Sequence, residues 1–146
     1  MIPPLSEQEP KLFTLAEVNK LIPQVNRLLN ELRKKKDAVL TIEQEKAVEE
    51  LSWLQPDGAV SPKAQKEVGR LEIEIEQATR DFENLLGRFG ALGAQLKDLE
   101  EGLVDFLSER NGELVYLCWK EGEGQIRFWH DLESGFAGRR TIDSLL

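Results

Sequence analysis

The chain has 146 residues, of which 40% are hydrophobic and 32% are charged, with one cysteine and a formal net charge of -8. These values predict a single soluble domain over residues 1–146 that buries its own core and has no intrachain disulfide. The acidic balance argues against sequence-independent binding of nucleic acid, and no apolar run approaches the ~18 residues of a membrane span.

The opening residues, Met-Ile-Pro-Pro-Leu-Ser-Glu, lack the basic start and apolar block of a secretory signal. We therefore expect a cytoplasmic protein, with neither nucleic acid nor a membrane among its partners. The basic run at residues 34–36 lies between Glu31 and Asp37, a pattern that favours a solvated helix face over a nucleic-acid surface.

The first predicted element is a helix from about Leu15 to Trp53. Thr14 and Glu17 have the spacing of a capping box, which satisfies free backbone N–H groups at a helix start. Apolar residues then recur at steps of four and three, as on one helical face: Val18, Ile22, Val25, Leu29 and Leu32. Pro23 predicts a kink or a new helix start within this segment.

The second predicted helix runs from about Pro62 to Glu100, with Ser61 as its N-cap and Gly102 as its stop. Its apolar residues follow the 3,4 alternation of a coiled coil: Val68, Leu71, Ile75, Ala78, Phe82, Leu85, Phe89, Leu92, Leu96 and Leu99. Two helices of equal length joined by a short loop predict a long antiparallel coiled-coil hairpin over residues 14–100.

Three glycines lie in the second half of this helix, where each costs up to about 1 kcal/mol relative to alanine. Close packing of Gly87, Gly90 and Gly93 against helix 1 or the carboxyl-terminal sheet would compensate, and a break near Gly90 or a subunit contact are the alternatives. The apolar pattern that continues to Leu99 favours an unbroken helix.

Residues 102–146 predict a three-stranded antiparallel β-meander followed by a tail, which makes the fold α+β. The apolar period changes to two, over strands at Leu103 to Leu107, Glu113 to Lys120 and Gln125 to His130. This alternation places His130 on the face toward the helices and Cys118 on the opposite face. That opposite face is too apolar for full solvation, so we expect the tail or a second subunit to cover it.

A first set of candidate site residues follows from the expected strand pairing. Hairpins centred on Asn111/Gly112 and Gly122/Glu123 set Asp105 opposite Cys118 and Cys118 opposite Arg127. The tail segment GFAGRR predicts a tight turn that pins Phe136 and projects its arginines, which could bind an anion in bidentate fashion. The candidate ligand-binding residues are therefore Asp105, Arg127, Arg139 and Arg140. The alternative is that these arginines pair with local acids.

A second set has the donor chemistry of a divalent metal site. The candidate ligands are Cys118, His130, Asp131 and Glu133, and this mixture of thiolate, imidazole and carboxylate suits zinc or a similar ion. A divalent metal is thus the candidate cofactor. However, the expected opposite faces of Cys118 and His130 favour a hydrogen-bonded histidine and a small buried cysteine instead. The same geometry argues against a Cys/His catalytic pair, so we do not expect an enzyme.

The carboxyl-terminal motifs GLVDF, LVYLCWK, IRFWHDL and GFAGRR, with KLFTLAEVNKLIP near the start, resemble a prokaryotic family called domain of unknown function 2203. The resemblance implies the helical hairpin with a meander and a cytosolic setting, and it brings no activity, substrate or cofactor. The positions that resemble the family's motif are Asp105, Cys118, Trp119, His130, Gly135, Phe136, Gly138 and Arg139.

These features together predict a non-enzymatic interaction or scaffold module that self-associates or binds a protein partner through residual apolar faces. The alternative hypothesis is a small-molecule or divalent-metal binding protein. Its site would lie on the outer face of the sheet and on the GFAGRR tail.

Overall fold

The computed structural model describes residues 10–145, so the opening heptapeptide lies outside the described part. Contacts divide these residues into two compact units, residues 10–29 with 88–145 and Asn30–Gly87. The elements are α1 Leu15–Leu51, α2 Pro62–Ala91, β1 Gln95–Asp98, β2 Leu103–Arg110, β3 Glu113–Lys120, β4 Phe128–His130 and β5 Arg140–Thr141. The α+β class is confirmed, whereas the prediction of three strands is wrong, because β1 and β5 extend the meander to five.

The start of α1 lies where the capping box predicts it. The Thr14 amide donates to Glu17 Oε1 at 3.1 Å, and the Glu17 amide donates to Thr14 Oγ1 at 3.2 Å. These bonds to Thr14 hold the pKa of the Glu17 carboxyl below its ordinary value. α1 continues through Pro23, so a new helix start at this proline is wrong.

The unit Asn30–Gly87 contains an antiparallel helical hairpin. Lys35 Nζ lies 3.5 Å from Asp81 Oδ2, and Lys46 Nζ lies 3.5 Å from Glu72 Oε1. A later residue of α1 thus contacts an earlier residue of α2, which shows that the two helices run antiparallel. The Ser61 hydroxyl accepts the Ala64 amide at 3.2 Å and caps α2 as predicted. The buried apolar residues of this unit include Leu32, Ala64, Val68, Leu71 and Leu85.

In the described part of the chain, neither helix is long and apolar enough to cross a bilayer.

The prediction that the second helix continues to Glu100 is wrong, because α2 ends at Ala91 and the chain then forms β1. Gly93 has a φ of +86°, a left-handed conformation that commonly ends a helix and favours glycine. Its amide donates to the Gly90 carbonyl at 2.9 Å. Beyond Ala91 the apolar repeat belongs partly to the sheet, since Leu96 lies on β1 and pairs with Val104 of β2.

The predicted close packing of the glycine patch is wrong for two of its three members. A Cβ atom on Gly87 or Gly90 would meet nothing within 4 Å, whereas one on Gly93 would lie 2.9 Å from the Phe13 ring. Close approach is therefore restricted to the turn at Gly93.

The sheet has the strand order β1-β2-β3-β4-β5, with every neighbouring pair antiparallel. A two-residue turn joins β2 to β3 at Asn111 and Gly112, which both have positive φ, as a type I′ hairpin turn requires. The resulting register places Asp105 opposite Cys118, as predicted.

One face of the sheet forms the core of the unit that contains residues 10–29 and 88–145. The buried residues there include Val18, Ile22, Val25, Phe89, Val104, Phe106, Val115, Leu117 and Trp119. Phe13 packs edge-on against Phe106 at a ring separation of 5.4 Å, and its amide donates to the Leu107 carbonyl at 2.8 Å. The Ser108 hydroxyl donates to the Phe13 carbonyl at 2.6 Å. These contacts fix the first turn of α1 on β2.

The predicted register of the third meander strand is wrong by one residue. Cys118 lies opposite Phe128 rather than Arg127, and Tyr116 lies opposite His130. The connection before β4 is longer than the alternation suggested, because the Ile126 amide donates to Asn19 Oδ1 at 2.8 Å. This bond to α1 keeps Ile126 outside the ladder, and a one-residue shift moves every β4 side chain to the other face.

Candidate functional site

The shifted register brings three potential metal ligands together on one face of the sheet. Asp105 on β2, Cys118 on β3 and His130 on β4 are buried, with exposed fractions of 4%, 1% and 2%. One ligand atom from each residue lies within 4.8 Å of the other two. The prediction that Cys118 and His130 face opposite ways is therefore wrong, because β4 pairs one residue later than the alternation implied.

His130 is held by a bond at each ring nitrogen. Nδ1 lies 2.7 Å from the Asp131 carbonyl oxygen, and Nε2 lies 3.0 Å from Asp105 Oδ2. A carbonyl oxygen only accepts hydrogen bonds, so Nδ1 carries a hydrogen and donates it. Nε2 then faces the carboxyl of Asp105 across the 3.0 Å contact.

Cys118 is a protonated thiol in this environment. Burial, reinforced by the Asp105 carboxylate, raises the pKa of the thiol to about 12. Arg139 acts in the opposite direction and lowers it less than burial raises it. A thiol in this state is a poor nucleophile, because the thiolate is the reactive form.

Two of the sequence candidates for metal binding lie outside this cluster. Asp131 Oδ1 accepts the amides of Ser134 and Glu133, at 2.7 Å and 3.0 Å. These bonds, led by the one from Ser134, hold the pKa of the Asp131 carboxyl below its ordinary value. Glu133 is exposed and lines a pocket beside the cluster. The cluster thus contains Asp105, which the sequence predicted as a ligand-binding residue, and does not contain the predicted metal ligands Asp131 and Glu133.

The three candidate arginines do not converge on Asp105. Arg127 is exposed and its carbonyl accepts the Ile142 amide. Arg139 forms an ion pair with Glu123, and Arg140 lies 4.0 Å from Asp131. Both tail arginines therefore lie next to local acids, as in the alternative interpretation of these residues.

The tail covers the outer face of the sheet, as one of the two alternatives predicted. A short 3-10 turn spans Phe136–Gly138. Arg139 then turns inward, against the prediction that the tail projects both arginines, and only 12% of its side chain is exposed. Its guanidinium lies between the rings of Phe128 and Phe136, 4.0 Å and 4.7 Å from their centres, and donates to the Cys118 carbonyl at 3.3 Å.

A pocket of about 240 Å³ opens beside the three clustered side chains. Its lining consists of Lys97, Leu103, Asp105, Tyr116, Cys118, His130, Leu132, Glu133, Gly135 and Phe136. Sequence reasoning missed Lys97, because residues 95–98 were predicted as helix, and missed Tyr116, which was not among the candidate site residues although it lies within the motif LVYLCWK. The Tyr116 hydroxyl accepts the Gln95 side-chain amide at 3.4 Å, a pairing that becomes visible only once β1 is known to be a strand.

The fold and this site define a class of α+β protein in which a five-stranded antiparallel sheet carries a buried Asp-Cys-His cluster under a folded tail. The chain belongs to the family described as uncharacterized conserved protein (DUF2203), whose family model matches residues 11–142. The resemblance seen in the motifs is thereby confirmed, and the matched range includes the whole cluster. No curated protein and no solved structure matches the chain.

Proposed function

We propose that this protein binds one divalent transition-metal ion, of which Zn²⁺ suits the donors best, through Asp105, Cys118 and His130. The observation that carries this proposal is the convergence of a carboxylate oxygen, a sulfur and an imidazole nitrogen within 4.8 Å of one another. Zinc bonds of about 2.0–2.3 Å place tetrahedral ligands roughly 3.3–3.8 Å apart. Small side-chain rotations therefore suffice to complete the coordination.

The hydrogen bonding of His130 supports the proposal. Histidines that bind metals usually donate their other ring N–H to a carbonyl or carboxylate, which fixes the tautomer and the ring orientation. The Asp131 carbonyl accepts from Nδ1 at 2.7 Å, and Nε2 is directed at Asp105. The ring is thus already oriented with its ligating nitrogen in the cluster.

Charge balance also favours a divalent ion in this buried place. A metal ion binds the thiolate form of cysteine, so an ion in the cluster replaces the thiol proton of Cys118. A divalent ion bound by this thiolate, by the Asp105 carboxylate and by a neutral imidazole completes a cluster without net charge. Because burying net charge is costly, a divalent ion suits these ligands better than a monovalent or trivalent one. Binding should release at least one proton per ion, that of the Cys118 thiol.

The test is a zinc titration of the metal-free protein by calorimetry in two buffers of different ionisation enthalpy, with metal analysis of the product. We expect one ion per chain and at least one proton released per ion. Cys118→Ser, His130→Gln and Asp105→Asn should each reduce the affinity at least tenfold. The matched controls Asp131→Asn and Glu133→Gln change acids outside the cluster and should bind as the wild type does. Retention of full affinity in the three cluster variants would refute the proposal.

We propose, from a different observation, a second function: two copies of the chain associate through an apolar surface at the end of α1 and in the loop that follows it. This surface consists of Val48, Leu51 and Leu54. These side chains are 65%, 84% and 66% exposed, and exposed apolar clusters commonly mark interfaces. A second copy offers the same surface, so a symmetric pair would bury both.

Light scattering after size-exclusion chromatography tests this association across a range of protein concentrations. We expect the mass of a dimer for the wild type and of a monomer for Leu51→Lys. Gln55→Lys adds the same charge in the adjoining loop and should remain dimeric. A monomeric wild type at every concentration would refute self-association and leave the metal proposal untouched.

A further inference from the structure

The pocket beside the cluster has the composition of a binding site for a small organic acid. Three of its lining residues are the proposed metal ligands, and its other walls are largely apolar, with Leu103, Leu132 and Phe136 among them. Its volume of about 240 Å³ corresponds to roughly eight water molecules at ~30 Å³ each. That space fits a single ring or a short chain with one polar group.

A metal ion in the cluster would direct an open coordination position into this pocket. Asp105, Cys118 and His130 lie on neighbouring strands and on the same face of the sheet, so their ligand atoms approach the ion from the floor of the pocket. A four-coordinate ion with three protein ligands keeps one position for water or another molecule. Because the sheet occupies the opposite side, that position points away from the sheet.

Lys97 supplies a positive charge at the same pocket. It lies on β1, two residues after Gln95, which pairs with Asp105. Its ammonium is 5.7 Å from the centre of the Tyr116 ring. Within residues 10–145, no carboxylate forms an ion pair with this ammonium, so its charge remains available to a ligand.

We propose, on the basis of the metal function above, that the pocket binds a small monocarboxylate with an apolar body. Its carboxylate binds the metal ion and Lys97, and its apolar part packs against Leu103, Leu132 and Phe136. Glu133 in the same lining repels a doubly charged anion such as phosphate more strongly than a singly charged one. The cluster with its ion carries no net charge, so the ammonium of Lys97 balances the single negative charge of a monocarboxylate.

Cobalt(II) tests this inference, because its visible absorption reports both metal binding and the entry of a fourth ligand. The protein is loaded with one Co²⁺ per chain and titrated with benzoate, with its neutral isostere benzamide, and with inorganic phosphate. We expect benzoate to change the cobalt spectrum saturably and to bind at least tenfold more tightly than either of the others.

Variants at Lys97 separate charge from packing. Lys97→Met should weaken benzoate binding at least fivefold, and Lys97→Arg should retain it. Lys66→Met removes an exposed lysine of α2 and should have no effect. Equal binding of benzamide, tighter binding of phosphate, or an unchanged affinity in Lys97→Met would each overturn the carboxylate proposal while the cobalt spectrum still reports the metal. A protein that develops no cobalt spectrum would overturn the metal function itself, and this inference with it.

Discussion

Cys118 combines near-complete burial with a pKa raised to about 12. At pH 8 only about one thiol in ten thousand is then ionised, and the thiolate is the form that reacts. We expect the metal-free native protein to react with a disulfide reagent such as dithionitrobenzoate at least a hundredfold more slowly than the same protein unfolded in guanidinium. Rapid labelling of the native thiol would contradict both the burial and the direction of the pKa shift.

Arg139 fastens the tail to the sheet through contacts that a lysine cannot reproduce. Its planar guanidinium lies between Phe128 and Phe136 and also bonds the Cys118 carbonyl, whereas an ammonium offers a point charge without a stacking face. Arg139→Lys should lower the free energy of unfolding by about 1–2 kcal/mol, since desolvated cation–π contacts contribute about that much.

Urea unfolding measures this loss, and Arg140→Lys is the matched control. The Arg140 side chain is 58% exposed, so its replacement should change stability by no more than about 0.5 kcal/mol. Equal effects at the two arginines would show that the inward position of Arg139 contributes nothing to stability.

Among the elements, the end of α2 offers a direct test of why the helix stops where it does. Gly93→Ala places a Cβ 2.9 Å from the Phe13 ring at a φ of +86°. The left-handed backbone alone costs about 1–2 kcal/mol for a residue with a side chain, so we expect a loss of at least that size. Gly87→Ala has open space around its Cβ and should gain up to about 1 kcal/mol from helix propensity.

Denaturant midpoints for the two glycine variants should thus move in opposite directions. If Gly93→Ala were stabilising, the turn that separates α2 from β1 would not depend on glycine. If Gly87→Ala were destabilising, the predicted close packing of the glycine patch would regain support.

The element boundaries also show where local signals were sufficient. The capping box at Thr14, the Ser61 N-cap and the Asn111-Gly112 turn each operate within four residues of chain, and all three form as predicted. The apolar period of α2 failed as a helix signal beyond Ala91, because Leu92, Leu96 of β1 and Leu99 keep a spacing that a helix would share.

At the scale of the whole molecule, metal binding should stabilise the unit that contains the sheet, because the three ligands come from three strands and exist together only in the folded state. With free Zn²⁺ at a hundred times its dissociation constant, the gain is about 2.7 kcal/mol. For a chain of this size the melting temperature should then rise by roughly 5–10 °C.

Differential scanning calorimetry measures this shift, and a chelator should reverse it. Asp105→Asn should abolish the shift, whereas Asp131→Asn should retain it. A rise of equal size in both variants would place the stabilising ion elsewhere on the protein.

The sequence alone determined the fold class, the caps, the β2–β3 hairpin and the residue types available for a site. These features depend on neighbours close in the chain or on alternation within one uninterrupted strand. The meeting of Cys118, His130 and Asp105 could not be predicted in the same way, although all three were named as candidates. Local alternation placed His130 on the wrong face.

Only the tertiary structure decided which of those candidates meet. The Asn19 side chain on α1 holds the Ile126 amide, more than a hundred residues away in sequence, and so delays the pairing of β4 by one residue. Because side chains alternate between the faces of a strand, the one-residue shift that accompanies this bond places His130 on the same face as Asp105 and Cys118.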